Sequence, residues 1–342
     1  MKLTENQIKG ITTGAARIVY KAGRYHFYRF RDCEAGVINH PFVFATSGIQ
    51  MHFKTDGSLL KLKVHTEKAT DIRSYFSFDI FVNGFLAGCI QNLADESCTG
   101  DYANASYATG SFYQEFALGD GEKDIKIVFP HSVIACLECM EITDAAYIVP
   151  VKKEKTIVFY GDSITQGFDA LHPARTYAAM LAEALDAEMI NKAVGGAVFN
   201  PALAKIPCDM KPDYVIVAYG TNDWNSVDLE TLRKNAAGFL AGLRSNYSGI
   251  PIFVITPLWR PDWNAIKKCG VFSNVENTIK EIFHQQENIT VISGADLMPQ
   301  DETLFGDLYL HPSDKGFGYY ADSLKKYFPD GKGMSREIPG RS

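Results

Sequence analysis

The segment FYGDSITQG, Phe159 to Gly167, carries a serine directly after a run of β-branched and aromatic residues and before a stretch of helical character. A polar, glycine-bracketed loop leaving a buried strand is where open α/β sheets place their ligands. Two chemistries suit it. Ser163 is a candidate nucleophile toward an acyl carbon, or the loop's N–H groups and hydroxyls cradle a phosphate. Phe168, Asp169, His172 and Arg175 follow the loop, and Trp224 follows GTND (Gly220 to Asp223). TPLWRPDW places Trp259, Arg260 and Trp263 past a predicted strand end. Aromatic rings and an arginine beside a sheet's carboxyl edge suit a sugar or another polar acyl acceptor, which makes Trp224, Trp259 and Arg260 the candidate substrate contacts. Each could equally be a surface or core residue.

CLEC, Cys136 to Cys139, raises a redox or zinc reading. If SVIACLECMEI is a strand, the odd separation sends the two thiols to opposite faces, and no second Cys or His pair accompanies them at ligand spacing. The 7 cysteines, Cys33, Cys89, Cys98, Cys136, Cys139, Cys208 and Cys269, are expected to be reduced, packed as small apolar side chains, with no metal bound.

The elements that must position these residues differ between the two halves of the 342-residue chain, a length that favours two domains. Up to about residue 148, period-two bursts such as RYHFYRF, FVFATS, LLKLKVH, SFYQEFAL and VIACLECMEI are separated by Gly, Asp and Asn, and FDIFVNGFLAGCI contains a tight-turn signal at VNG. This predicts an all-β domain over residues 1–150, a sandwich of jelly-roll type. The texture changes at Val149 to Lys155. Over 151–335, strand-like TIVFY, EMIN, DYVIVAY, PIFVITP and NITVIS alternate with helical patterns, as in DLETLRKNAAGFLAGLRSNY, where Leu229, Leu232, Ala236, Phe239, Leu240 and Leu243 recur at helical spacing. Such alternation predicts a parallel sheet with helices on both faces, a three-layer α/β domain.

With 46% hydrophobic and 22% charged residues the chain reads as an ordinary globular protein. A net charge of −6 argues against nucleic acid as partner. Residues 1–20 hold no apolar stretch of signal-peptide length, and no run of about 18 apolar residues predicts a membrane span, so the expected location is cytoplasmic. A homo-oligomeric assembly is left open.

Four blocks together carry a resemblance: GDSI (Gly161 to Ile164), NKAVGG (Asn191 to Gly196) ending a strand, GTND after DYVIVAY, and HPSDKG (His311 to Gly316) entering the last predicted helix. In this order they resemble the GDSL, or SGNH, hydrolase family, over roughly residues 156–330, which implies a flavodoxin-like order for the parallel sheet. A phosphate cradle predicts neither GTND nor the terminal HP. The resemblance puts Ser163 at the nucleophile position. A serine hydroxyl needs an adjacent base to attack a carbonyl, the task assigned to His311. It also implies an oxyanion site made of the N–H groups of Ser163 and Gly196 and the side-chain amide of Asn222. Asp162 and Asp223 read as loop braces that accept backbone N–H groups.

The third triad member departs from the family spacing. Its aspartate stands three residues before the histidine, where GDLYLHP has Leu308; Asp307 is one residue further back. A bulge or an extra turn would bring Asp307 to the imidazole; otherwise a backbone carbonyl orients His311. A jelly roll preceding such a domain is similar to two-domain carbohydrate acetylesterases. The implied function is a serine esterase removing small acyl groups from carbohydrate, with a small-molecule or oligosaccharide ester as substrate and no cofactor. The rivals are a lipase, thioesterase or acyltransferase, and a carbohydrate-binding protein with an inactive hydrolase half.

Overall fold

A computed structural model describes residues 1–93, 105–143, 146–284 and 286–328; Cys98 and the bound at residue 335 lie outside the described residues. The N-terminal residues form two antiparallel sheets. In one, strand Gln50–Thr55 pairs with Thr12–Thr13, Val149–Pro150 and Lys123–Val128, which continues to Ser77–Val82 and Phe85–Gln91. The other runs Arg17–Lys21, Arg24–Tyr28, Val133–Ile142, Leu59–Lys68, Gly110–Ala117. Alternate residues of both, among them Phe53, Ile80 and Ile127 from the first and Leu62, Val64 and Leu137 from the second, bury into one core. The VNG signal is a two-residue hairpin: Asn83 and Gly84 both have positive φ, 51° and 81°, as a type I′ turn requires.

Two segments do not follow the period-two reading. FVFATS is no strand: Pro41–Phe44 is a single 3₁₀ turn started by Pro41 and capped by His40. Its apolar residues face the second half of the chain, where Phe42 and Val43 pack on Phe168 and Val194, so their spacing follows an interface. Short helices Glu5–Ile11 and Asp32–Ile38 also interrupt the all-β pattern. In Val133–Ile142 a bulge falls between Leu137 and Cys139; Cys136 meets His26 and Cys139 meets Glu141.

From Lys155 the chain builds a parallel sheet in the order Ala187–Asn191, Lys155–Gly161, Tyr214–Ala218, Ile252–Ile255, Ile289–Ile292. The three central strands are rich in Ile, Val and Phe because both their faces are covered. Helices Tyr177–Ala184 and Asp314–Lys325 close one core; Leu229–Asn246 and Phe272–Phe283 close the other, with Leu232, Ala236, Phe239 and Leu243 pointing inward. Among the described residues no helix is long and apolar enough to cross a membrane.

The halves are joined by buried polar contacts. Arg29, 1% exposed, donates to the carbonyls of Phe42 and Ala45 in the N-terminal half and of Asn191 and Ala193 in the C-terminal half. Lys192 pairs with Glu34 at 2.8 Å, and Ser47 Oγ donates to the Gln166 carbonyl at 2.6 Å. His172 Nδ1 lies 2.9 Å from Asp79 Oδ1, and this hydrogen bond pushes the histidine up to about 11. The unfolded value is roughly 6.5, so the pair's stabilisation is complete below that pH and is lost as the pH rises toward about 11. Thermal unfolding of the wild type is therefore expected to fall more steeply between pH 7 and 10, roughly the middle of that window, than that of His172→Gln. Parallel curves would remove the pair from the stability of the interface.

Candidate active site

Ser163, Gly196 and Asn222 all stand just past the carboxyl ends of adjacent strands. These are Lys155–Gly161, Ala187–Asn191 and Tyr214–Ala218, and the sheet order reverses at the first of them. That crevice is the ligand position of open α/β sheets. Ser163 opens a one-turn helix, Ser163–Gln166, capped by Asp162, whose Oδ1 accepts the Ile164 N–H at 3.0 Å. Gly161 is required by close approach: a Cβ there would sit 2.2 Å from Thr165 Oγ1.

Ser163 and His311 are 4% and 6% exposed, and Ser163 Oγ lies 2.8 Å from His311 Nε2. On the far side of the ring, Nδ1 lies 2.7 Å from Asp307 Oδ2. The displaced spacing is absorbed at Leu308, which adopts a left-handed φ of 55°. The chain thereby curls around the Asp307 carboxylate, whose Oδ1 accepts the N–H groups of Tyr309, Leu310 and His311 at 3.0, 2.7 and 3.0 Å. Burial pushes this carboxyl up, but the hydrogen bond and charge of His311 and the backbone donors outweigh it and hold Asp307 well below the usual carboxylate range. An ionised Asp307 accepts the Nδ1–H hydrogen bond, which fixes the ring proton on Nδ1 and leaves the Nε2 lone pair facing the serine hydroxyl.

A second carboxylate approaches the same imidazole. Asp169 Oδ2 lies 3.6 Å from Nδ1, and its Oδ1 accepts Arg73 Nε at 3.0 Å. Burial pushes Asp169 above its usual range, opposed by His311 and Arg73. Sequence reasoning noted Asp169 only as a neighbour of the loop and missed Arg73 altogether, because the arginine comes from the other half of the chain. Its positive φ of 54°, unusual for a long side chain, has no sequence signature.

Gly196 is exposed and left-handed, φ 77°, with nothing within 4 Å of where a Cβ would be. The Asn222 amide donates to the Ala197 carbonyl at 3.1 Å, which ties GTND to the loop of Gly196. Asp223 Oδ1 accepts the Phe199 N–H at 3.2 Å; burial pushes both Asp162 and Asp223 up to about 7. Beside Gly196 opens a cavity of about 450 Å³ whose walls include Ile38, His40, Val194, Val198, Phe199 and Tyr219.

Of the three expected substrate contacts, Trp224 is corrected: it is 0% exposed, in the core, with its indole N–H donated to the Gly270 carbonyl. Arg260 is also committed elsewhere, bonded to Asp262, Thr221 and Tyr309 as a brace between three loops. GTND turns Trp224 inward, and Arg260, 4% exposed, lies as a cation over its ring. Trp259 keeps some exposed surface, packs near Phe305, and has a buried indole N–H without a hydrogen-bond partner among the described residues.

Among the described residues two groupings bring carboxylate, imidazole or thiol atoms within 4.8 Å of one another: Asp169, Asp307 and His311, and Asp79, Cys89 and His172. In the first, Nδ1 already faces Asp307; in the second, Asp79 Oδ1 accepts from Ser77 and pairs with His172. Cys136 and Cys139 belong to neither.

Residues 159–318 match the profile of the GDSL-like lipase/acylhydrolase family. No curated protein sequence matches the chain. Three of the solved structures of similar fold illustrate the likeness. The salicylyl-acyltransferase SsfX3 from a tetracycline biosynthetic pathway shares 18% identity over 92% of each chain, TM-score 0.73. A family two carbohydrate esterase from Clostridium thermocellum shares 17% identity over 81% of this chain and 90% of its own, TM-score 0.60. The acetyl xylan esterase Est2A from the rumen bacterium Butyrivibrio proteoclasticus shares 18% identity over 84% and 92%, TM-score 0.57. At these identities the likeness is one of fold: a parallel five-stranded sheet preceded by antiparallel sheets.

Proposed function

We propose, for a chain whose residues 159–318 form a GDSL-like lipase/acylhydrolase domain, a serine esterase that removes small acyl groups, acetyl above all, from carbohydrate. One observation carries the reading: Ser163, His311 and Asp307 stand in a hydrogen-bonded line, with contacts of 2.8 and 2.7 Å, in the crevice at the sheet's switch point. In the reaction, Ser163 Oγ attacks the acyl carbon while its proton passes to His311 Nε2, and Asp307 stabilises the imidazolium that results. The N–H groups of Ser163 and Gly196 and the Asn222 amide receive the negative charge on the carbonyl oxygen. His311 then protonates the departing sugar oxygen, and water activated by the same imidazole releases the acid.

Carbohydrate as the alcohol is supported by the similarity in fold, over 81% of the chain and so across both halves, to a family two carbohydrate esterase. Trp259, with its ring partly exposed, is the proposed sugar contact. A second reading has a specific observation behind it. The cavity beside Gly196, about 450 Å³ and largely apolar, has room for a longer or aromatic acyl group, and the chain is also similar to an acyltransferase.

A deacetylation screen over acetylated oligosaccharides, read by mass spectrometry, with aryl esters of increasing chain length alongside, tests the choice. Stepwise loss of acetyl groups and a preference for acetate are expected. No deacetylated sugar, with a preference for acyl chains longer than acetyl by more than about tenfold, roughly 1.4 kcal/mol in the transition state, would hand the site to the second reading.

A further inference from the structure

The N-terminal half reaches the reacting residues through Arg73, which lies between strands Leu59–Lys68 and Ser77–Val82. The segment is pinned on both sides: Asn92 donates to the Ser74 carbonyl and accepts the Phe76 N–H, and the Tyr75 hydroxyl accepts the Asp169 N–H at 2.8 Å. The guanidinium is buried over the Phe168 ring, 4.9 Å from its centre. From there Nε meets Asp169 Oδ1 at 3.0 Å, and Nη2 stands 3.0 Å from His311 Nδ1 and 3.6 Å from Asp307 Oδ2.

Among the described residues the charged groups facing this imidazole are Asp307 from its own loop, Asp169 from the segment after the nucleophile, and Arg73 from the antiparallel half. Two carboxylates without a cation would hold the ring as imidazolium, which cannot accept a proton from serine. Nδ1 also cannot donate to Asp307 and accept from Arg73 at once. With its proton toward Asp307 the ring keeps the tautomer that presents a lone pair to Ser163, and the Arg73 N–H groups are left to the carboxylates.

We propose that Arg73 is a positioning residue of ester hydrolysis: by pairing with Asp169 it offsets that carboxylate's charge at the ring, so His311 pairs with Asp307 and is free to take up the Ser163 proton. The antiparallel half thus completes the active site. This rests on the serine-esterase reading above.

The test is the pH dependence of kcat/KM on an aryl acetate for the wild type, Ser163→Ala, Arg73→Gln, Arg73→Lys, Asp169→Asn and the double variant Arg73→Gln/Asp169→Asn. Arg73→Gln is expected to move the acid limb to higher pH by about one unit, a loss of roughly tenfold below the limb and under about threefold at pH 9. Asp169→Asn moves the limb the other way, the double variant returns it toward wild type, and lysine retains most of the wild-type position. A loss that is equal at every pH, or unmoved limbs in both Arg73→Gln and Asp169→Asn, overturns the role of Arg73 while Ser163-dependent activity leaves the esterase reading standing. Wild-type activity that survives Ser163→Ala overturns both.

Discussion

Ser163→Ala is expected to lower kcat on aryl and sugar acetates by a factor on the order of 10⁴ to 10⁶, the range seen when the nucleophile of a Ser–His pair is removed. The residual rate would come from the oxyanion donors and binding, which alanine leaves in place. The loss belongs to chemistry rather than folding. Among the described residues Ser163 Oγ makes one side-chain hydrogen bond, with His311, and removing one hydrogen bond costs about 1 kcal/mol of stability. The helix turn is capped by Asp162, which the substitution does not touch. Unfolding in denaturant alongside steady-state kinetics separates the two effects. A folded Ser163→Ala enzyme within about tenfold of wild type, under roughly 1.4 kcal/mol, would remove Ser163 as nucleophile.

The parallel sheet was legible because its three central strands are largely buried runs, and TIVFY, EMIN, DYVIVAY, PIFVITP and NITVIS all lie in it. The antiparallel sheets were legible through alternation, which each strand carries locally. What failed was alternation with another cause. Phe42 and Val43 are apolar because they bury against Phe168 and Val194 of the other half, and a single 3₁₀ turn suffices for that.

The site divides along the same line. GDSI, the loop of Gly196 and GTND are short local signals at strand ends and HP is one before a helix; Ser163 meets His311, and Asn222 meets the loop of Gly196. Arg73 is carried by no motif, since its position depends on how the two halves dock. Trp224 shows the opposite error. A tryptophan next to a strand-end motif reads as a sugar contact, yet its core partners, Phe272 among them, are distant in sequence, and they draw the ring inside.

The remaining large effect separates the two carboxylates at His311. Asp307→Asn is expected to cost on the order of 10³ to 10⁴ in kcat, as loss of the triad aspartate does in serine proteases. Asparagine retains the Oδ1 that accepts the Tyr309, Leu310 and His311 N–H groups, so the curled loop and the left-handed Leu308 persist. The change falls on the other atom. An amide N–H in place of Oδ2 faces Nδ1 as a donor, which drives the ring proton to Nε2, and Nε2 can then no longer accept from Ser163. Asp169→Asn leaves the 2.7 Å contact to Asp307 intact and removes only a charge already paired with Arg73, so its effect on kcat at neutral pH is expected to stay within about tenfold, roughly 1.4 kcal/mol. Kinetics of both variants decide the assignment. If Asp169→Asn proves the more damaging, Asp169 is the orienting acid and the curl at Leu308 serves the loop alone. If neither costs more than about tenfold, Ser163 and His311 act as a dyad whose ring is held by its surroundings.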